Sequence, residues 1–310
     1  MPITYPPPAA TLSPDLTATQ VHYLLKNPSL IARRVRDLAL NRYVADYLLT
    51  GRYTAEGGAI LYPNGEPVFA DSDPEAVGVG GEYPLDTVGQ GTLAMARTVK
   101  WGRDGEVYDE AIKRMLIDPV NRLLSRLINS NVRYVDSVAL AVIASKITRT
   151  RAATGAWTSG AQIITDVLLA KADTEQLEDG FDLDTVVLTP VQYAKVVAAL
   201  IKDGLLPREA ANPVLSSGVI PDVLGLSWTR SAHSPTVNPL LVDREQLGGM
   251  ADEDLQSPGY TSAGPTGIEA KVSRLQGSDD RDGYRIRVRR VTVPVVVEPN
   301  AGIQITGTGV

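Results

Sequence analysis

The 310-residue chain contains no cysteine, which excludes disulfides, thiolate nucleophiles and every sulfur-ligated metal site together. Its two histidines, His22 and His233, stand far apart without partners at ligand spacing. Aromatic residues are scarce, at 5% with only two Phe, so a single thick aromatic core is not expected. No apolar run approaches the roughly 20 residues that span a bilayer. The opening stretch MPITYPPPAATLSPD has none of the basic, apolar and small-residue regions of a signal peptide, so synthesis and folding in the cytoplasm, away from any membrane, are expected. An excess of basic charge is missing too. At a net charge of −6 the chain as a whole is a poor neutraliser of phosphates, which turns the search for a partner towards protein. What is present is a soluble globular composition, 44% apolar and 21% charged, with 27 Gly and 21 Pro marking many turns and long excursions.

Residues 1 to 26 are rich in Pro, Thr and Ser and read as an extended arm. Asn27-Pro28 then supplies a cap followed by proline at the first helical position. Leu30, Ile31, Val35, Leu38, Ala45 and Leu48/Leu49 carry one apolar face as far as Gly51, read as a left-handed terminator. The segment EPVFADSDPEAVGVGGEYPL, Glu66 to Leu85, holds three Pro, three Gly and five carboxylates without a base or a helical stripe. In TLAMARTVKW, Leu93, Met95, Val99 and Trp101 alternate, which predicts a strand with one apolar face. Together 66 to 101 read as a two-armed excursion of about 50 Å. Ordering it costs on the order of 1 to 2 kcal/mol per residue, which its own side chains cannot offset, so something outside must cover it.

Asp118-Pro119 repeats the cap-and-proline device and opens a helix expected to run to about Lys146, roughly 43 Å long and far above the usual 11 to 12 residues. Beyond Thr154 to Gly160 the composition changes. Helix (from Ala161), buried strand (from Thr185), helix (from Pro190), a Pro/Ser loop over 204 to 221 and short strands near Leu224 to Thr229 and Leu240 to Asp243 suggest an inserted α/β module. GIEAKVSRL, a DDRDG turn and YRIRVRRVTVPVVV make an antiparallel hairpin, and Ala301 to Thr306 add a last strand.

Catalytic and ligand motifs are weak. Gly89-Gln90-Gly91-Thr92-Leu93-Ala94 fits G-x-G-x-x-A, but strand alternation rather than a helix follows, so a hairpin turn is expected. Asp280, Asp282 and Gly283 echo a calcium loop whose twelfth position would be Arg289, where a carboxylate is needed. His233 with Asp243 or Asp222 and Ser216 or Ser217 lacks a nucleophile elbow. The acidic run Ala251 to Asp254 reads as solvated surface. No catalytic residue, metal site or cofactor is assigned.

One charge pattern stands out. Glu66, Asp71, Asp73, Glu75, Glu82 and Asp86 face no base between 66 and 96, whereas 281 to 290 hold Arg281, Arg285, Arg287, Arg289 and Arg290 against Asp282 alone. Arg285, Arg287 and Arg289 alternate and share one strand face. Either this is a solvated basic edge that blocks aggregation, or Asp71, Asp73, Glu75, Glu82 and Asp86 of one copy lie across the arginines of a neighbour and set its register.

The order of arm, short helix, hairpin excursion, long helix, α/β insertion and returning hairpin resembles the major capsid protein of tailed bacteriophages, with the fold named for phage Hong Kong 97. LLTGRYTAEGGAILY, VKWGRDGEVYDEAIKR, DPVNRLLSRLINSNVRYVDSVALAVIAS, REQLGGMADEDL and RVRRVTVPVVVEPNAGIQITGTG are similar to shells of actinobacterial phages. The resemblance implies an α+β chain with an N-arm (1 to 65), an E-loop (66 to 107), a peripheral domain with a spine helix (108 to 158, returning at 265 to 297), and an axial domain (159 to 264, completed by 298 to 310). It also implies a non-enzymatic virion protein made in the bacterial host. Pentamers and hexamers of it would enclose double-stranded DNA, aided by a separate scaffolding protein, a portal and a cement protein. The lysine and asparagine that cross-link some members have no counterpart, since 66 to 99 lack lysine and the Arg287/Val288 region lacks asparagine. An encapsulin-type compartment of the same fold, and more remotely an α/β enzyme built on 159 to 264, are the alternatives.

Overall fold

The computed structural model describes residues 16–39, 43–65, 75–83, 85, 92–204, 223–235, 238–264, 267–275 and 281–309. In chain order the helices are α1 (Ala18–Lys26), α2 (Pro28–Ala39), α3 (Val44–Leu48), α4 (Asp109–Met115), α5 (Asp118–Lys146), α6 (Gly160–Glu175) and α7 (Pro190–Lys202). The strands are β1 (Gly51–Thr54), β2 (Ala59–Asn64), β3 (Thr92–Arg97), β4 (Val99–Tyr108), β5 (Thr150–Ala152), β6 (Thr185–Leu188), β7 (Ser227–Arg230), β8 (Leu240–Val242), β9 (Gly248–Asp252), β10 (Thr261–Ser262), β11 (Ile268–Arg274), β12 (Gly283–Val296) and β13 (Gly302–Thr306).

Helix α5 has the predicted extent, opening with Pro119 in its first turn and running 29 residues. Its stripe of Val120, Leu124, Leu127, Ile128, Val132, Val135 and Ile143 is buried, because apolar side chains three and four residues apart fall on one face. That face packs against a sheet ordered β1-β9-β12-β11-β10, with β4 along the other side of β12. Gly105 of β4 permits the close fit, since a Cβ there would lie 2.1 Å from Leu123 Cδ1.

The N-terminal region departs from expectation. Residues 18 to 26 are helical, because Thr17 accepts from the backbone N–H of Gln20 while the Gln20 side chain accepts from that of Thr17. That Thr-x-x-Gln capping box is a helix-start signal that the Pro/Thr/Ser composition masked. The helix from Pro28 ends at Ala39, and a separate turn of helix begins at Val44. Gly51 does not terminate a helix. It pairs in parallel with Gly249, and a Cβ on Gly249 would lie 2.2 Å from the Gly51 carbonyl oxygen.

A second sheet, ordered β5-β13-β8-β6-β7, lies beyond α5. With α6 and α7 it encloses its own core, including Ile163, Val167, Val186, Val196, Leu241 and Ile303. Thr189 and Gln192 form a capping box ahead of Pro190, so α7 starts where the sequence predicts. Beyond Gly204 the Pro/Ser loop over 204 to 221, with Ser216 and Ser217, lies outside the described residues, as does Asp222. Asp243 accepts from the backbone N–H groups of Asp182, Glu245 and Gln246, a structural task rather than a catalytic one.

Of the acidic run at 251 to 254 only Asp254 is exposed, and the rest is not solvated surface. Ala251 is fully buried, Asp252 pairs with Arg290, and Glu253 accepts from Gly58 N at 3.0 Å and Thr98 Oγ1 at 2.6 Å. These glutamate bonds hold the base of a two-stranded hairpin, β2 and β3, against β9. The stretch TLAMARTVKW is accordingly two strands that part at Thr98, β3 in the hairpin and β4 in the large sheet.

Candidate intersubunit surface

The hairpin pairs Leu61 with Met95 and Pro63 with Leu93 in antiparallel register. Alternation sends Ile60, Tyr62, Ala94 and Ala96 inward, where they pack with Ala251, Val293 and Val295. The opposite face is apolar and open, with Leu61 67%, Leu93 61% and Met95 55% exposed. The apolar face expected of this strand therefore points away from the chain's own core, and the small alanines make the buried one. Three large apolar residues side by side on one ribbon form a patch that soluble chains rarely leave uncovered.

The outgoing arm, Ala59–Asn64, starts within the stretch assigned to the N-terminal arm, ahead of the expected boundary at 66. Of the acidic residues proposed as contacts, Glu75 and Glu82 are exposed and make no ion pair with another described residue. Asp71, Asp73 and Asp86 lie outside the described residues, as do Gly89, Gln90 and Gly91 of the glycine motif. Thr92 onward forms a strand, as expected.

On β12, Arg285, Arg287 and Arg289 do share a face, and carboxylates of the same chain meet them. Arg287 stands opposite Asp104 of β4 and donates to both its oxygens, Nη2 to Oδ2 at 2.6 Å. Arg285 Nη2 donates to Glu106 Oε1 at 2.9 Å. Arg289 is buried, donates to Glu269 of β11 and lies 3.6 Å over the Tyr260 ring. The bond from Arg287 holds the Asp104 carboxyl below the usual carboxylate range, and bonds from Tyr108 and Arg285 do the same for Glu106. Lys271, level with Arg287, leaves this ladder with four cations to three carboxylates. Asp104 and Glu106 were missed because the acidic stretch was read only to residue 96, although their i, i+2 spacing mirrors that of the arginines.

Arg290, next in sequence, turns to the other face and is fully buried. Its guanidinium donates to Asp46 of α3 and Asp252 of β9 and lies 4.9 Å over the Tyr43 ring. Beside it, Asp136 of α5 accepts from Val44 N at 3.2 Å and Ala45 N at 3.0 Å, which fastens α3 to the middle of the long helix. Burial pushes this carboxyl up to about 7. Asp282, from the calcium-loop echo, pairs with Arg274, and among the described residues no cluster of His or carboxylates has the makings of a metal site. Among the described residues no helix is long and apolar enough to cross a membrane.

The family described as phage capsid protein matches residues 92–305, from β3 through β13. The chain belongs to this family. As a phage capsid protein it also has the expected architecture, for solved structures of low identity share its fold. The cyanophage P-SCSP1u capsid matches at TM-score 0.58 and 13% identity over 82% of this chain and 85% of that one. A virus-like particle from Pyrococcus furiosus matches at 0.55 and 11%, over 89% and 97%. Mycobacterium phage Adephagia matches at 0.55 and 11%, over 85% and 89%. No match was found among curated protein sequences. The fold is α+β and Hong Kong 97-like, and the capsid role is structural.

Proposed function

We propose that this capsid protein assembles as pentamers and hexamers into an icosahedral head shell enclosing double-stranded DNA. The uncovered apolar face of Leu61, Leu93 and Met95 carries this reading, because a neighbouring copy is the natural cover for a ribbon that its own chain leaves bare. On this reading 1 to 65 supply the N-arm and 66 to 107 the bulk of the E-loop. Residues 108 to 158 with 265 to 297 form the peripheral domain around the spine helix, and 159 to 264 with 298 to 310 the axial domain. The acidic excursion, Asp71 to Asp86, lies near the Arg285 to Arg289 ladder of a neighbour, whose surplus positive charge steers it more than it binds it. Without a lysine in 66 to 99 the shell holds together noncovalently, with a separate scaffolding protein, a portal and a cement protein as partners.

The test is Leu61→Lys with Met95→Lys, followed by size exclusion and electron microscopy. Particles from the wild type and folded, unassembled subunits from the double variant are expected. A wild type that stays monomeric while binding nucleotide would overturn the reading in favour of an enzyme. The likeness to the Pyrococcus furiosus virus-like particle favours a second reading, a compartment of the same fold filled with protein. Nuclease-protected double-stranded DNA inside purified particles decides against it.

A further inference from the structure

On the far side of β4 from the arginine ladder, a pocket of about 180 Å³ opens between that strand and the middle of α5, lined by Trp101, Gly102, Arg103, Ser130, Asn131 and Tyr134. Trp101 and Tyr134 form one wall, their rings 6.3 Å apart and within 7° of parallel. Asn131 is only 6% exposed, and both polar atoms of its carboxamide lack a hydrogen-bond partner. A buried carboxamide left in that state costs stability, so its place at an aromatic pocket points to a group that arrives from outside. Arg103 at the rim makes no ion pair with a described residue.

The chain itself offers a matching group. Val79, Tyr83 and Leu85 are the most exposed large apolar residues among those described, with Tyr83 at 81%, and they sit between Glu75 and Leu85 in the acidic excursion. Tyrosine suits the pocket in both its parts. The ring fits against Trp101 and Tyr134, and the hydroxyl can give and take hydrogen bonds at the Asn131 carboxamide. Glu82, beside it, has the charge that Arg103 requires. In its own chain Tyr83 is almost bare and so stands open to a second copy.

We propose that Tyr83 of one copy seats in the Trp101/Tyr134 pocket of a second copy, with its hydroxyl at Asn131 and Glu82 at Arg103. The inference rests on the shell reading. It leaves Glu75 and the acids upstream of it for the ladder, on the other side of the turn that the Gly81 N–H closes onto the Gly78 carbonyl. Among the described residues β4 pairs with β12 alone, so the excursion crosses a single edge strand on the way from ladder to pocket.

The absence of native cysteine makes the test clean. Tyr83→Cys and Tyr134→Cys alter exposed side chains, so both variants are expected to fold. Co-assembled in equal amounts and oxidised, the two variants should give a covalent dimer that takes up as much as half of the protein, because a mixed shell seats each Tyr83→Cys copy on a Tyr134→Cys copy half of the time. Either variant alone, and the pair held dissociated, should give none. Tyr23→Cys, exposed elsewhere on α1, serves with Tyr83→Cys as the control that should not cross-link. A second measurement uses assembled particles: Tyr83→Ala should lower their dissociation midpoint more than Tyr83→Phe, which loses only the hydroxyl. Normal particles without the dimer, or a mixed disulfide between position 134 and a different polypeptide, would overturn the inference while leaving the shell reading intact. Failure of the wild type to form any particle would instead remove the shell reading, and the inference with it.

Discussion

Arg290 and Asp46 form a two-pronged ion pair, Nη1 to Oδ2 and Nη2 to Oδ1 both at 2.9 Å, that fastens helix α3 to the middle of strand β12. The guanidinium also donates to Asp252 through Nε at 2.9 Å and is fully buried, while Asp46 accepts in addition from Arg52 Nη1 at 2.7 Å. Arg290→Met should leave Asp252 without its cation and Asp46 with Arg52 alone, and cost about 3–5 kcal/mol. Adding Asp46→Asn and Asp252→Asn should recover part of the loss. Urea denaturation of the unassembled subunit measures both, and an Arg290→Met subunit as stable as the wild type would show that the pair contributes nothing.

Charge exchange separates the two roles open to Arg287. Arg287→Asp alone faces Asp104 with a like charge and should destabilise the subunit by about 1 kcal/mol, a modest figure because both side chains are partly exposed. Asp104→Arg together with Arg287→Asp should restore the melting temperature. If a neighbour's acids also use position 287, the exchanged subunit should be fully folded yet slower to assemble, most visibly at low salt. Wild-type assembly kinetics would confine the arginine to its own chain.

Asp136 sets a pH dependence of unusual sign. Burial raises its folded-state value to about 7, above the ordinary carboxylate value expected when the chain is unfolded. Between the two values the native state holds the extra proton, so stability rises as pH falls from about 7 towards 4, with a slope approaching 1.4 kcal/mol per pH unit. Below that range Asp104 and Asp109, both held down by arginine bonds, reverse the trend as they protonate. Melting curves carried from pH 8 to below pH 4 should climb on acidification to a maximum at about pH 4, and Asp136→Asn should flatten the limb between about 5 and 7.

Gly249→Ala should break the parallel pairing of β1 with β9, because the added Cβ would meet Gly51 Cα at 2.6 Å as well as its carbonyl oxygen, and backbone cannot give way. A loss of about 1–3 kcal/mol is expected. Faster amide exchange at Arg52 and Tyr53 would localise it.

How much of this could be read in advance depended on how local the cause was. The extent of helix α5 was legible because a first-turn proline and a stripe at 3.6-residue spacing are both written into one stretch, although Asp118 lies inside the helix and Ile117, not Asp118, stands at the cap position. Strand β3 was legible as a strand, but alternation offers two faces and cannot say which is buried. The bulky Leu93 and Met95 mark the open face, and the small Ala94 and Ala96 fill the narrow space under the hairpin. Arg290 looked like one more member of a basic run, although its odd place in the alternation put it on the core face. Its partners lie 38 and 244 residues away, and Asp252 sat in what looked like a solvated acidic tract. The ladder opposite Arg285 and Arg287 was hidden for the same reason, since strand pairing is settled by the whole sheet rather than by its neighbours in sequence.

Strand β13, residues 302 to 306, lies between β5 and β8 in its sheet, with hydrogen bonds to both. A subunit still on the ribosome thus carries two open strand edges at that seam until residue 306 has been translated and has cleared the exit tunnel. A polypeptide cut short before 302 would present unpaired edges to its fellows and aggregate.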